Sequence, residues 1–204
     1  MGRQSDAKER LMRAMTDLIW ERSYGSVTVD TICTKAEVKK GSFYHFFKSK
    51  ADLMLATLDW AWEVEARPFF DEYFSPTLGG VERLRKVFEH AYRETVDTQK
   101  KYGRVLGCPY FNLGAEVSGV EPVVLNKIRY LLILYRRYFE SAIRDAVAEG
   151  EVSNRDPERT ARCLFSLYQG ILTQSRIEDN PEIVRELSQH LDMVLGLEKA
   201  TVAV

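Results

Sequence analysis

Residues 27–54 read VTVDTICTKAEVKKGSFYHFFKSKADLM, and this stretch decides the fold. Thr28 supplies a hydroxyl that can accept from an otherwise unpaired amide at a helix start. That predicts a short helix from Val29 to about Thr34, with Val29, Ile32 and Cys33 facing a core. Lys35 to Val38 is too short for a further element and reads as a turn. A second short helix is expected to begin near Lys39 and to carry Gly41, Ser42, Phe43, Tyr44 and His45. Ser49 and Asp52 stand in the spacing of a capping box, which opens a third helix at Lys50. Two short helices joined by a tight turn, with cations on the second, follow the plan of a helix-turn-helix that lies in a DNA groove.

The frame Lys39-Lys40-Gly41-Ser42-Phe43-Tyr44-His45-Phe46-Phe47-Lys48-Ser49-Lys50-Ala51-Asp52-Leu53 resembles the DNA-binding domain of the tetracycline-repressor (TetR/AcrR) family. Glycine, both aromatics and the Phe-x-x-Lys tail fall in register, and the likeness covers residues 1–55. It implies an all-α fold of about nine helices. In that plan residues 1–50 form a three-helix helix-turn-helix domain and residues 51–204 a larger helical ligand-binding and dimerisation bundle. The resemblance further implies a repressor that binds a palindromic operator in double-stranded DNA. It would act as a homodimer paired through the last two helices, and a small-molecule inducer would release it. By the same resemblance Thr28, Tyr44, His45 and Lys50 contact phosphates. Lys39, Lys40 and Ser42 are the candidates for base edges, lysine suiting guanine acceptors and serine being permissive.

Charge agrees with that plan. The 204 residues carry a formal net charge of -1, but residues 1–50 hold ten Lys/Arg against six Asp/Glu and the remainder 19 against 24. A basic head on an acidic body suits a chain that meets phosphate at one end. Three cysteines without regular spacing argue against a disulfide framework and for a reducing compartment. With no long apolar run and a polar start at Met1-Gly2-Arg3-Gln4-Ser5, the expectation is a cytoplasmic protein that does not enter a membrane.

Outward from the quoted stretch, Ser5 or Asp6 is expected to open a first helix lined by Leu11, Met12, Met15, Leu18 and Ile19, with Gly25 as its stop. A longer helix follows from Ser49 to about Phe74, which Pro68 bends or ends. Ser75 to Gly80 reads as a linker. Helices are then expected over Val81–Lys101, from Cys108-Pro109 to about Val117, and from Glu121-Pro122 to Ala148 with Gly150 as the stop. Asp156-Pro157 and Asn180-Pro181 open the last two helices. Leu164, Phe165, Tyr168, Ile171 and Leu172 on one, with Ile183, Leu187, Leu191, Val194 and Leu195 on the next, form apolar stripes. These serve as a dimer surface, as closure of the chain's own core, or as both on different edges.

Gly107-Cys108-Pro109-Tyr110-Phe111-Asn112-Leu113-Gly114-Ala115-Glu116 is the most unusual part of the body. Asn112 and Glu116, four apart, share a helix face and can orient a ligand or brace neighbouring helices. Candidate pocket walls are Trp60, Tyr92, Tyr110, Phe111 and Tyr168, with Cys108 beside them. Cys108, at a helix N-terminus, can alternatively be a thiol sensor of oxidants or electrophiles, or simply a buried apolar residue. A further alternative is a helical ligand-binding protein without operator specificity. Enzymatic readings find no support. His45, His90 and His190 stand in no metal-ligand spacing, and there is no nucleophile elbow, phosphate loop or dinucleotide fingerprint. No cofactor and no metal are expected.

Overall fold

The computed structural model describes residues 2–153 and 156–197. Every regular element among them is helical: α1 (Gly2–Glu21), α2 (Val29–Ala36), α3 (Lys40–Phe46), α4 (Lys50–Ala61), α5 (Arg67–Tyr73), α6 (Gly80–Tyr102), α7 (Pro109–Val117), α8 (Pro122–Ala148), α9 (Pro157–Glu178) and α10 (Leu187–Leu195). A 3-10 turn at Tyr24–Ser26 precedes α2, and another at Pro181–Glu186 leads into α10. A π turn, Trp62–Ala66, joins α4 to α5. Counting α4, the π turn and α5 as one run leaves nine helical segments, the number expected.

Several of the predicted start and stop signals lie where helical segments begin and end. Thr28 caps α2 and forms a reciprocal box with Thr31: each hydroxyl accepts from the other residue's amide, at 3.1 and 3.0 Å. Ser49 accepts from the Asp52 amide at 3.1 Å, while the Asp52 carboxylate reaches past Ser49 to the Lys48 amide at 2.8 Å. Asp156 and Asn180 cap the helical segments after them, each with proline at the start. Gly150 and Gly196 take positive φ just past α8 and α10.

The expected bounds of the first helix are corrected. α1 begins at Gly2, so neither Ser5 nor Asp6 opens it, and it ends at Glu21, four residues short of Gly25. Gly25 does not take positive φ; it lies inside the 3-10 turn, where Ser23 is the cap. Of the two outcomes expected at Pro68, a bend or an end, the end does not occur: the helical run continues through it. One turn ahead of it the ladder widens, the Arg67 amide donating to Trp62 O, a spacing of five. The wider turn accommodates a residue that brings no donor and crowds the carbonyl four residues back.

Packing divides the chain into two compact units, Met1–Pro68 with Pro109–Leu132, and Phe69–Cys108 with Ile133–Val204. The division at residue 50 follows the helix-turn-helix alone; compactness also places α7 and the first turns of α8 with the head. In the first unit α1 lies on α2, α3, α4 and α7. Leu11, Met15, Ile32, Phe43, Leu53, Met54, Leu58, Val124, Ile128 and Leu131 are among its most deeply buried apolar side chains. In the second unit α6, α9 and α10 enclose the Pro181–Glu186 turn. Phe88 and Phe139 are buried there, as are Leu84, Ile143, Leu164, Leu187 and Leu191.

His90 on α6 lies in that second unit, its ring 4.6 Å from Phe69 and its Nδ1 3.2 Å from the Tyr73 hydroxyl. Burial holds its imidazole below the ordinary value. The unfolded chain therefore binds this proton first as pH falls. The stability tied to neutral His90 is complete above about pH 6.5 and is lost as pH falls through the folded-state value. Thermal melts at about pH 7.5 and about pH 5 are expected to show a smaller acid-induced drop for His90→Phe than for the wild type. Equal drops would remove His90 from the acid response.

Candidate nucleic-acid interface

The head presents its polar residues because its aromatics turn inward. Phe43 and Phe47, ring centroids 5.9 Å apart, are buried, and Phe46 is half-buried. This anchors a helix of only seven residues and leaves Lys39, Lys40, Gly41, Tyr44 and His45 exposed, with Ser42 half-buried. Tyr44 is 54 % exposed, its ring edge-on to Phe43 at 5.2 Å between centroids. Nothing lies within 4 Å of where a Cβ on Gly41 would stand, so that point of α3 is open to close approach. Between α2 and α3 the chain turns through Glu37 in the left-handed region, its amide donating to Cys33 O and Thr34 O. Cys33 is buried on the inner face of α2, as expected of a packing residue.

The candidate DNA contacts fall into three situations. Lys39, Tyr44 and His45 are on the outer surface of α3 or at its start. Lys40 is exposed but pairs with Asp30 of α2 at 2.8 Å, a hydrogen bond that raises its pKa. A phosphate would have to compete with that carboxylate for Lys40. Thr28 is exposed at the α2 cap. Lys50, by contrast, turns inward: its Nζ donates to Tyr24 O at 2.8 Å and Val27 O at 2.9 Å and stands 4.1 Å from the Tyr24 ring centre. Burial lowers its pKa, against the opposing pull of Glu116 and Glu121. Because Thr28 caps α2, Thr28→Ala is expected to cost about 1 kcal/mol in urea unfolding. A cost below about 0.3 kcal/mol would mean that Thr31 and water replace the cap.

The candidate ligand residues divide between the two units. In the first, Trp60 lies under the Arg13 guanidinium at 4.9 Å, Tyr110 and Asn112 are half-buried on α7, and Phe111 is 39 % exposed. Glu116 is committed elsewhere: its two carboxylate oxygens accept from the amides of Tyr24 and Gly25, each at 2.7 Å. In the second unit, the Tyr92 hydroxyl donates to Glu182 at 2.7 Å and accepts from Arg185 at 2.6 Å, tying α6 to the turn before α10. Cys108 is half-buried immediately before α7. Tyr168 stacks on Phe88 at 5.5 Å and 13° and lies beside Phe139 and Phe165. Burial, with a smaller contribution from Cys108, pushes the Tyr168 phenol well above its ordinary range. Next to it Gln169 is 2 % exposed, and its Oε1 has no hydrogen-bond partner among the described residues. Sequence reasoning passed over Gln169, since a glutamine inside an apolar helical stripe gives no local sign of where its amide points. Among the described residues no group of His, Cys, Asp or Glu is arranged to hold a metal ion.

A helix-turn-helix head on an all-helical body defines a DNA-binding regulator of transcription. Residues 11–57 match the family described as "Bacterial regulatory proteins, tetR family", and residues 80–191 match "Tetracyclin repressor-like, C-terminal domain". The chain belongs to the TetR family of transcriptional regulators. It is 30 % identical over 177 residues to the transcriptional regulator AcuR of Cereibacter sphaeroides, covering 86 % of this chain and 79 % of that one. It is 28 % identical over 193 residues to the transcriptional repressor DhaR of Mycobacterium sp. (strain GP1), covering 94 % and 91 %. The crystal structure of a regulatory protein TetR from Rhodobacter sphaeroides superposes with a TM-score of 0.81 at 28 % identity, covering 92 % and 98 % of the two chains. These families and relatives are regulators rather than enzymes. Among the described residues no helix is long and apolar enough to cross a membrane.

Proposed function

We propose that the chain is a repressor that binds a palindromic operator as a homodimer and leaves it when a small molecule binds the body. The observation that carries this reading is the outer face of α3, where Lys39, Lys40, Tyr44 and His45 are displayed over a buried Phe43 and Phe47. Residues 1–50 read the DNA, with Lys39, Lys40 and Ser42 towards base edges and Thr28, Tyr44 and His45 on phosphates. A single seven-residue helix reads few base pairs. Two copies reach successive major grooves about 34–36 Å apart, and a twofold dimer then demands a palindrome. The name of DhaR as a repressor supports repression over activation.

Residues 51–204 pair the protomers and bind the effector. The expected dimer stripes are mostly turned inward: Leu164, Phe165, Ile171, Leu172, Leu187, Leu191 and Leu195 are buried within one protomer. The pairing surface is instead the outward face of the same two helices. Cys163, Ser166, Gly170 and Ile177 recur there at helical spacing on α9, and Met193 on α10. Ile177 is 78 % and Met193 62 % exposed, and nothing would meet a Cβ at Gly170, so a second helix can come close. For the effector, the aromatic cluster around Tyr168 and the unpaired amide oxygen of Gln169 offer stacking surface and one acceptor for a ligand donor. Release requires only that the ligand prefer the unbound arrangement, typically by ~1–3 kcal/mol. The helical run from Lys50 to Tyr73, with its π turn, is the continuous element that carries the change.

The test is selection of bound duplexes from a random pool with the purified full chain, followed by sedimentation of the complex. A recovered palindrome holding two chains supports the reading. Recovery of no common motif would overturn it.

A further inference from the structure

The turn between α1 and α2 is held from both sides by residues remote in sequence. On one side the Glu116 carboxylate of α7 takes the amides of Tyr24 and Gly25, one per oxygen, both at 2.7 Å. On the other, Lys50 at the start of α4 takes the carbonyls of Tyr24 and Val27. Val27 is 1 % exposed, and the next residue is the Thr28 cap, so whatever fixes this turn also fixes where α2 starts. Hydrogen bonds to an ionised carboxylate are the strong kind, and two from one group add orientation to strength. Glu121 and Glu116 both face Lys50 and Tyr24, whose hydroxyl is buried and lacks a partner among the described residues.

α7 is seated so that it fixes this grip. It has nine residues, with Gly107 and Gly119 on either side of it at φ 68° and 81°. Leu113 and Val117 anchor one face, and a Cβ on Gly114 would meet Ile128 of α8 at 3.1 Å. The geometry is exacting, because any shift of α7 would displace Glu116 relative to the turn. Hydrogen bonds at this distance do not survive a displacement of about 1 Å.

We propose that Glu116 is a positioning residue for DNA binding: through its two bonds to the Tyr24 and Gly25 amides, α7 sets the start of α2 and so the operator affinity of the head. The proposal rests on the operator-binding reading above. With the carboxylate engaged, α2 and α3 are held in the arrangement that fits DNA. With it withdrawn, the turn loosens and affinity falls.

The test compares the full-length wild type with Glu116→Gln and Glu116→Asp. Four quantities are read: affinity for the selected duplex, affinity for a random-sequence duplex, hydrogen exchange at the Tyr24 and Gly25 amides, and the thermal midpoint. Glutamine keeps the size but offers one acceptor where two are needed. It is expected to weaken operator binding on the order of 10-fold, with random-duplex binding within about 2-fold. Exchange at both amides should rise on the order of 10-fold with the midpoint held within about 3 °C. Glu116→Asp, charged but one methylene short, should fall between. Operator affinity of Glu116→Gln within about 2-fold of the wild type overturns the proposal. So do equal losses on both duplexes accompanied by a lowered midpoint in both variants, which would make Glu116 a scaffold residue. A wild type that selects no operator fails the functional reading itself, while exchange at the two amides still reports whether the grip exists.

Discussion

Gly80→Val is expected to destabilise the chain by about 3 kcal/mol or more, the largest stability effect of any single substitution considered for the second unit. Gly80 opens α6 and is buried against α8. A Cβ placed there would stand 2.1 Å from the backbone oxygen of Ala142 and 2.6 Å from the backbone nitrogen of Ala146. Neither atom is a flexible side-chain end, so relief requires one helix to move off the other. That movement would also disturb the α6 start, where the Gly80 and Val81 amides donate to Glu149 and Glu151 at 3.2 and 3.3 Å. The buried Arg83 guanidinium, bound to Asp145 and to Leu78 O, lies one turn on and would be strained with it. Thermal melting should show a midpoint lowered by ~6–12 °C. A midpoint within about 2 °C of the wild type would mean that the contact opens freely.

The second large effect is on DNA. Lys39→Ala combined with Lys40→Ala is expected to weaken operator binding ~100-fold and to lower the salt slope by about one to two ions. Lys39 occupies the cap position of α3 without capping it, so its side chain is available. Lys40 spends part of its charge on Asp30, which predicts a smaller share for it than for Lys39. Direct contact with base edges would show in the selected sequences. The double variant would lose preference at particular positions as well as affinity. Unchanged affinity together with unchanged base preference would contradict the placement of α3 against the duplex.

What the sequence disclosed and what it concealed separate along a physical line. Thr28, Ser49, Asp156, Asn180, Gly150 and Gly196 act on backbone groups within a few residues of themselves, so the ends of α2, α4, α8, α9 and α10 were readable from short words. The inward turn of Phe43 and Phe47 followed from their spacing on a short helix. Tertiary partners were not readable in this way. Glu116 reaches a turn 91 residues earlier, and nothing near either position marks the pairing. Lys50 looks from its neighbours like a cation at a helix start, yet it points into the turn behind it. Gly25 has the local look of a stop because it follows an amphipathic run, whereas it does not take positive φ and the turn it occupies is held by Ser23 and Glu116. Among the eight body residues proposed to meet a ligand, Tyr92 and Glu116 hydrogen-bond to other protein groups and Trp60 and Tyr168 pack against Arg13 and Phe88, while Gln169 joins the candidates only because its burial is visible.

The central claim is that α3 reads a palindrome on behalf of a dimer. Its most direct test is a titration of the selected duplex with the wild type and with Tyr44→Ala, at two salt concentrations and with the stoichiometry measured. Tyr44 is exposed and lies outside the core, so its loss should leave folding intact. The account predicts two chains per duplex, a steep decline of wild-type affinity with salt, and binding by Tyr44→Ala weaker on the order of 10-fold. One chain per duplex, or equal binding by both proteins to selected and random DNA alike, would contradict it.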